Sequence, residues 1–259
     1  MGRRRISWVI LTLTWPCLLA SAEVGKDWTQ ATASAPWSVR SGHSSVAHDG
    51  KIWVIGGLGR GYKNDVWHSS DGANWTQATA SAPWSMRSGH SSVVHDGKMW
   101  VIGGVGVGYK NDVWHSSDGV NWTQATASAP WSVRSGHSSV VHDGRIWVIG
   151  GSLGRIYKND VWYSLDGAKW TQATASAPWS VRDGHTSVVH DGRIWIIGGY
   201  PWKRDVWYSS DGTNWTQATA SAPWSVRHSQ TSVIHDKRIW MLGGYPWKND
   251  VWYSSDGAK

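Results

Sequence analysis

The ten-residue stretch Thr-Gln-Ala-Thr-Ala-Ser-Ala-Pro-Trp-Ser decides the fold, because it occurs five times in the chain without change. The copies span residues 29–38, 76–85, 123–132, 171–180 and 216–225. The tryptophan before each copy recurs at intervals of 47, 47, 48 and 45 residues. Periods of this length indicate a propeller, a solenoid or an array of small modules.

Each repeat predicts four short β-strands, which we name a, b, c and d in chain order. In the second copy they span residues 91–95, 98–102, 112–116 and 121–125. An Asp-Gly pair separates strand a from b and strand c from d, and this pair is a strong hairpin signal because both residues can adopt positive φ. A double glycine is expected to end strand b. No segment after residue 22 has a helical period, so each repeat predicts an antiparallel four-stranded sheet.

Several motifs recur at fixed places in the repeats. A double glycine follows strand b in all five copies, and Arg-x-Gly-His opens strand a in four, while the fifth reads Arg227-His228-Ser229-Gln230. A Tyr on strand c and a Trp on strand d are separated by six residues in two copies, as Tyr163/Trp170 and Tyr208/Trp215. Together these motifs make residues 28–259 resemble kelch repeats, including those of the galactose oxidase central domain. The turn before strand d is similar, more weakly, to the Asp-box of sialidase-type propellers.

Both resemblances imply a propeller, so we expect an all-β, five-bladed β-propeller of four-stranded antiparallel blades spanning residues 23–259. Residues 28–32 have the sequence of a strand d that follows no strand a, b or c, and residues 250–257 have a strand c and turn with no strand d after them. An open sheet edge invites aggregation, and closure removes it. We therefore expect residues 28–32 to pair with residues 251–255, completing the fifth blade and closing the ring.

Residues 1–22 predict a signal peptide, so the protein is expected to be secreted or to lie in the periplasm or cell envelope. Arg3, Arg4 and Arg5 precede a mostly apolar run, and Ala20-Ser21-Ala22 is a small-residue cleavage pattern. A retained signal-anchor is the alternative, although the run is short for a membrane span of about 20 residues. With cleavage after Ala22, no membrane span is expected.

Cleavage would also remove the only cysteine, Cys17, and lower the formal net charge from +7 to +4. The remaining chain needs no disulfides in an oxidising compartment. Its mild basic charge includes no block of Lys or Arg, so nucleic acid is not indicated as a partner. We expect a monomer.

The loops point to one face of the propeller as the binding face. Because strand direction alternates, the d-to-a and b-to-c loops lie on one face and the tight turns on the other. Binding residues concentrate on loops held by a rigid scaffold, and the kelch resemblance implies that this face binds ligands with help from the Arg that opens strand a. The candidate ligand-binding residues are Trp37, Trp84, Trp131, Trp179, Trp224, Arg40, Arg87, Arg134, Arg182, Arg227, Tyr62, Tyr109, Tyr157, Trp202 and Trp247. The alternative is that the loop Trp residues are wedges between blades and that the Arg residues are paired internally.

Three ligand hypotheses follow from these residues. Tryptophan faces stack on sugar rings and Arg binds carboxylates through two hydrogen bonds, so a glycan, including an acidic one, is the first. A protein or peptide bound at the same face is the second. The third is a structural surface module whose repeats reflect duplication alone.

Catalysis finds little support in the sequence. Glu23 is the only Glu, and nearly all Asp residues occupy repeated turn or strand-start positions, which disfavours a paired-carboxylate glycosidase. Some kelch relatives are enzymes. The copper site of galactose oxidase uses a Tyr cross-linked to Cys, which residues 23–259 lack, so that activity is not expected. A kelch-type sialic-acid mutarotase needs acid and base groups that we cannot assign. His43, His90, His137 and His185 open strand a and could hold a metal or bond to neighbouring backbone. We expect a non-catalytic binding module without a cofactor.

Overall fold

The computed structural model describes residues 29–258, and every regular element in that range is a β-strand. The chain divides into two units, residues 1–31 and residues 32–259, and all the sheets belong to the second. These residues form an all-β, five-bladed β-propeller, which confirms the predicted fold class. Within residues 29–258 there is no helix that could cross a membrane.

Each blade takes its strands from one continuous segment of the chain. Blade 1 contains β1 (Ser44–His48), β2 (Lys51–Leu58), β3 (Tyr62–Ser69) and β4 (Thr76–Thr79). Blade 2 contains β5 (Ser91–His95), β6 (Lys98–Gly106), β7 (Gly108–Ser116) and β8 (Thr123–Thr126). Blade 3 contains β9 (Ser138–His142), β10 (Arg145–Ile149), β13 (Val161–Ser164) and β14 (Thr171–Thr174), with a separate hairpin of β11 (Ser152–Leu153) and β12 (Ile156–Tyr157) between its second and third strands. Blade 4 contains β15 (Thr186–His190), β16 (Arg193–Gly199), β17 (Lys203–Ser209) and β18 (Thr216–Thr219). Blade 5 contains β19 (Thr231–His235), β20 (Arg238–Gly244) and β21 (Lys248–Ser254).

Apolar clusters fill the spaces between successive blades. Between blades 2 and 3, for example, Ile102 packs with Ile146 and Val148, and Trp131 from the connecting loop joins them. Successive side chains of a strand point to opposite faces, so strand b is covered on both sides. In β10 the residues from Ile146 to Ile149 are each at most 1 % exposed.

We expected the double glycine to end strand b, and strand b does end at or just before it in blades 3, 4 and 5, but in blades 1 and 2 it continues past the glycines. In β6 the strand continues to Gly106 through a bulge at Gly103-Gly104, where the pairing register with β7 shifts. The two glycines have φ of 57° and 103°, which a residue with a Cβ rarely adopts. The Gly104 N–H donates to the Arg134 carbonyl oxygen of the next blade at 2.9 Å. The motif therefore joins two blades.

The two Asp-Gly turns of a repeat have different structures. At Asp96-Gly97 both residues have positive φ, 49° and 65°, as predicted for a hairpin between strands a and b. At Asp118-Gly119 only the glycine does, so the prediction of the same turn there was wrong. The Asp118 carboxylate instead accepts hydrogen bonds from the backbone N–H groups of Val120 and Asn121, at 2.9 and 2.8 Å. Such side-chain-to-backbone bonds are a common reason for Asp in turns.

Four junctions between successive blades repeat the same contacts. At the junction of blades 2 and 3, the Nε2 of His95 donates to the Leu165 carbonyl oxygen at 3.1 Å. The Trp100 ring packs so closely on Gly167 that any side chain there would collide with it. Equivalent ring-on-glycine contacts occur at Trp53/Gly119, Trp147/Gly212 and Trp195/Gly257.

The junction of blade 5 with blade 1 lacks these contacts among residues 29–258. Ile52 of blade 1 is 47 % exposed, although its counterparts Met99, Ile146, Ile194 and Ile239 are at most 4 % exposed. Val233 of blade 5 is 48 % exposed, whereas Val93, Val140 and Val188 are each 7 % exposed. The outer face of each of these two blades is thus incompletely covered by the described residues.

Blade 5 also has a cavity where a strand d tryptophan lies in the other blades. In the cluster between blades 2 and 3, Trp170 packs with Ile102 and Trp131. The corresponding residues between blades 4 and 5, Ile197 and Trp224, line an apolar cavity instead. The predicted occupant, Trp28, lies outside the described residues, and residues 29–32 are not in a strand. Closure by residues 28–32 therefore stays a prediction.

Deleting residues 27–32 tests that prediction. The deletion should leave the edge of β21 and the apolar cavity open, because no strand d would cover them, and should cause aggregation or a much lower melting temperature. Deleting residues 23–26 is the matched control and should change neither. A 27–32 deletion variant that stays monomeric in size-exclusion chromatography and melts at the wild-type temperature would contradict closure by this segment.

Candidate functional site

On the loop face, each arginine that opens a strand a is paired with the aspartate two residues before the strand c tryptophan of the same blade. The Arg134 Nη1 and Nη2 groups donate to the two Asp160 carboxylate oxygens, both at 2.8 Å. Nη1 also donates to the Gly150 carbonyl oxygen at 2.8 Å. The five pairs are Arg40/Asp65, Arg87/Asp112, Arg134/Asp160, Arg182/Asp205 and Arg227/Asp250. Bidentate pairs of this kind are strong and geometrically specific.

Burial and charge pairing act in opposite directions on these aspartates. Burial alone would raise the pKa of Asp160, but the hydrogen bonds and positive charge of Arg134 outweigh it and hold the pKa below its usual range. The Arg134 side chain is fully buried. Both charged groups are therefore used within the blade, and removing either would leave the other buried without its partner, which is costly.

The loop tryptophans lie between blades. Trp84, Trp131 and Trp179 are each 1 % exposed, whereas Trp37, before blade 1, and Trp224, beside the apolar cavity between blades 4 and 5, are half-buried. The Trp131 ring lies 5.7 Å from the Arg134 guanidinium and contacts Trp170 edge-on at 5.8 Å. Eight of the ten candidate Trp and Arg residues of the d-to-a loops thus offer almost no side-chain surface to a ligand, and Trp37 and Trp224 offer part of theirs. Their placement favours the wedge alternative.

Three of the four histidines that open strand a are packed between blades, and the fourth, His43 of blade 1, is exposed. The Nε2 atoms of His90, His137 and His185 each lie 2.8 Å from a Ser Oγ of the preceding blade. Burial, followed by the charge of the neighbouring Arg, lowers the pKa of each of these three histidines to about 3. Within residues 29–258 there is no group of three or more His, Cys, Asp or Glu that could hold a metal.

The b-to-c loops of blades 3 to 5 place five aromatic side chains in an unbroken row on the loop face. Ring centroids are 5.5 Å apart for Tyr157/Tyr200, 5.4 Å for Tyr200/Trp202, 6.4 Å for Trp202/Tyr245 and 5.1 Å for Tyr245/Trp247. We call these five residues the aromatic row. Trp202, Tyr245 and Trp247 are 44 %, 43 % and 87 % exposed. The row includes three of the predicted candidates, Tyr157, Trp202 and Trp247. The two remaining b-to-c candidates, Tyr62 and Tyr109, are half-buried in the hairpins of blades 1 and 2.

A pocket of about 380 Å³ opens at one end of the aromatic row. We call it the Asp183 pocket, and its lining is Gly136, Tyr157, Asp183, Gly184, Tyr200, His228 and Ser229. Asp183 and His228 occupy the second position of the Arg-x-Gly-His motif, where the first three copies have Ser. Tyr157 and His228 each contact Tyr200, with ring centroids 5.5 Å away.

The polar groups of this pocket have shifted pKa values. Burial raises the pKa of Asp183, against the opposing effects of a Ser152 hydrogen bond and the nearby His228. Burial lowers the pKa of His228, partly offset by Asp183. Burial thus favours the uncharged form of both groups, and the pocket combines a carboxyl group, an imidazole and two phenol rings. Groups of this kind can recognise a small polar ligand.

Sequence reasoning missed Asp183, Tyr200, His228 and Tyr245 as site residues. We interpreted Asp183 only as a replacement for Ser, and His228 only as a broken motif. The available signal was departure from the repeat: residues that differ between copies at equivalent loop positions carry the chemistry that the repeated residues do not.

Replacing a wedge tryptophan should damage stability. Trp131→Ala is expected to lower the free energy of unfolding by about 3–5 kcal/mol, because it leaves a large apolar cavity between two blades. The surface control Trp247→Ala should change it by less than about 0.5 kcal/mol. Chemical denaturation measures the free energy of unfolding of both variants. Equal values for Trp131→Ala and Trp247→Ala would show that Trp131 does not stabilise the packing between blades.

The buried histidines should make the protein acid-sensitive. The folded-state pKa of His137 is about 3, below its unfolded value near 6.5. The unfolded chain therefore binds more protons between these values, and stability is lost as the pH falls from about 6.5 toward 3.

His137→Gln should reduce this pH dependence, because Gln230 already fills the equivalent position in blade 5 and donates to the Ile197 carbonyl oxygen at 2.8 Å. Between pH 6 and 4 the slope of unfolding free energy against pH should fall by about 1.4 kcal/mol per pH unit. Denaturant titrations at several pH values measure the slope, and an unchanged slope would contradict the assignment of a neutral buried His137.

Comparison with known proteins agrees with this architecture. The Kelch motif family model matches residues 40–68, 86–115 and 134–174. A search of curated proteins finds no match. The solved structure of YjhT is similar in fold, with a TM-score of 0.69 and 18 % sequence identity over 83 % of this chain and 75 % of that chain. The repeat motifs, the blade structure and the family match lead to one conclusion: the chain belongs to the kelch-repeat β-propeller family.

Proposed function

We propose that this kelch propeller is an exported, monomeric and non-catalytic module that binds a glycan along the aromatic row. One observation carries the proposal: five aromatic side chains from three blades form a row with one end exposed, Trp247 being 87 % exposed. A monomeric protein rarely exposes contiguous apolar surface without a function for it.

The row fits the chemistry of carbohydrates. A pyranose ring has apolar C–H faces that pack on aromatic rings, while its hydroxyl groups need hydrogen-bond partners. The row supplies the rings, and Tyr157, Asp183 and His228 in the adjoining pocket supply hydroxyl, carboxylate and imidazole groups. Binding sites commonly combine apolar walls with a few such polar groups.

Two features support a role in binding and not in catalysis. The strand c aspartates are each paired with an arginine, so they are committed to the scaffold. The buried histidines bond to serines of neighbouring blades.

The signal-peptide pattern of residues 1–22 supports export.

A protein or peptide ligand is the second candidate. Kelch propellers commonly bind proteins, and exposed Trp and Tyr residues are typical anchors at protein interfaces. The exposure of Trp202, Tyr245 and Trp247 is the observation that favours it.

A glycan array followed by titration of the best ligand tests the proposal. Trp247→Ala should weaken binding roughly thirtyfold, because an exposed stacking surface worth about 2 kcal/mol is lost, while the melting temperature should not change. Val107→Ala is the matched control, since Val107 is 91 % exposed in the b-to-c loop of blade 2, outside the row. If no glycan binds, or if Trp247→Ala binds like wild type, the row is not a glycan site.

A further inference from the structure

Asp183 differs from the other strand-associated aspartates in having no cation to neutralise it. The five strand c aspartates each pair with an Arg. Among residues 29–258, Asp183 forms no ion pair with Lys or Arg, and its hydrogen-bond donor is the Ser152 hydroxyl, 2.7 Å away. A half-buried carboxylate with one neutral donor retains unused acceptor capacity and an unbalanced charge, which is unfavourable unless a partner arrives.

The walls of the Asp183 pocket suit a cationic partner as well. Tyr157 and Tyr200 line the pocket beside the carboxylate, and the negative faces of aromatic rings attract cations. Gly136, Gly184 and Ser229 form the rest of the lining, together with His228. The volume of about 380 Å³ lies within the range of small-molecule sites, roughly 300–1,000 Å³.

Among residues 29–258, other charged groups near the pocket form no ion pair with Asp183, although the exposed Arg155 lies close enough to Tyr157 to act on its charge. Burial lowers the pKa of His228, so its imidazole is uncharged at neutral pH. The nearest buried arginine on the same chain segment, Arg182, is committed to Asp205 through two hydrogen bonds of 2.9 and 2.7 Å. The negative charge of the pocket is therefore available to a ligand.

We propose that the Asp183 pocket binds the protonated amine of an amino sugar, with Asp183 accepting its N–H groups and Tyr157 and Tyr200 forming the aromatic walls. This inference rests on the proposed glycan function, because the aromatic row leads directly into the pocket through Tyr200. It adds the ligand class: an oligosaccharide with one free-amine hexosamine in the Asp183 pocket and its other sugar rings on the aromatic row. A neutral N-acetylated residue gains no ion pair there.

Isothermal titration with two matched probes tests the proposal: the β-1,4-linked tetramer of glucosamine and the fully N-acetylated tetramer. Wild-type protein should bind the free-amine tetramer at least tenfold more tightly at neutral pH. The preference should decrease as added salt screens the charge, and it should disappear when the pH is raised until the amine is neutral.

Asp183→Ser is the decisive variant, because Ser41, Ser88 and Ser135 show that the repeat accepts Ser at this position. It should abolish the preference for the free amine, weakening the free-amine tetramer at least tenfold more than the N-acetylated tetramer, while leaving the melting temperature unchanged. Trp247→Ala should instead weaken both tetramers, so loss of the row and loss of the amine site give different results.

The possible failures are distinguishable. Equal wild-type affinity for the two tetramers would overturn the amine site and leave glycan binding intact. If neither tetramer binds and other glycans do, the amino-sugar inference is also wrong. If a lysine-containing peptide binds in an Asp183-dependent manner and no glycan binds, both the inference and the glycan function are wrong.

Discussion

The bidentate ion pair between the arginine that opens strand a and the aspartate two residues before the strand c tryptophan is the constraint on which the loop face depends. In blade 3, Arg134 joins Asp160, the Gly150 carbonyl and the Trp131 ring in one buried network. The network fixes the d-to-a loop against the b-to-c region of the same blade. The Arg134 carbonyl oxygen also accepts the Gly104 N–H of the preceding blade, so the segment that holds one blade together also joins it to its neighbour.

This constraint divides the residues of the chain into two groups. Residues repeated in every copy, above all the loop Trp, the Arg and its Asp, are used in packing and pairing between and within blades. The site residues that break the repeat lie on the loop face of blades 3 to 5, where Asp183, His228 and the two Tyr-Pro-Trp-Lys loops meet. Repetition thus builds the scaffold, and departure from repetition supplies a single asymmetric site.

The sequence allowed the fold to be predicted closely and the site only in part. Blade number, strand order and the a-to-b turns followed from the repeat, because periodic turn and strand signals are local. The course of the chain at Gly103-Gly104 did not, because the hydrogen bond that requires it comes from the next blade. The exposure of the loop tryptophans could not be predicted for the same reason. Trp131 and Trp247 are both loop residues in sequence, but Trp131 is 1 % exposed and Trp247 is 87 % exposed. Whether a neighbouring blade covers a loop cannot be inferred from that loop alone.

The repeated tryptophans thus belong to the scaffold, and the non-repeated aromatic residues belong to the site. Hydroxyl-radical footprinting with mass spectrometry, in the absence and presence of a bound oligosaccharide, tests this assignment at single-residue level. We expect Trp84, Trp131 and Trp179 to stay unoxidised in both states. Trp202 and Trp247 should be oxidised in the free protein and protected by the oligosaccharide. Oxidation of Trp131 in the free protein that the ligand suppresses, with Trp247 unaffected, would contradict it.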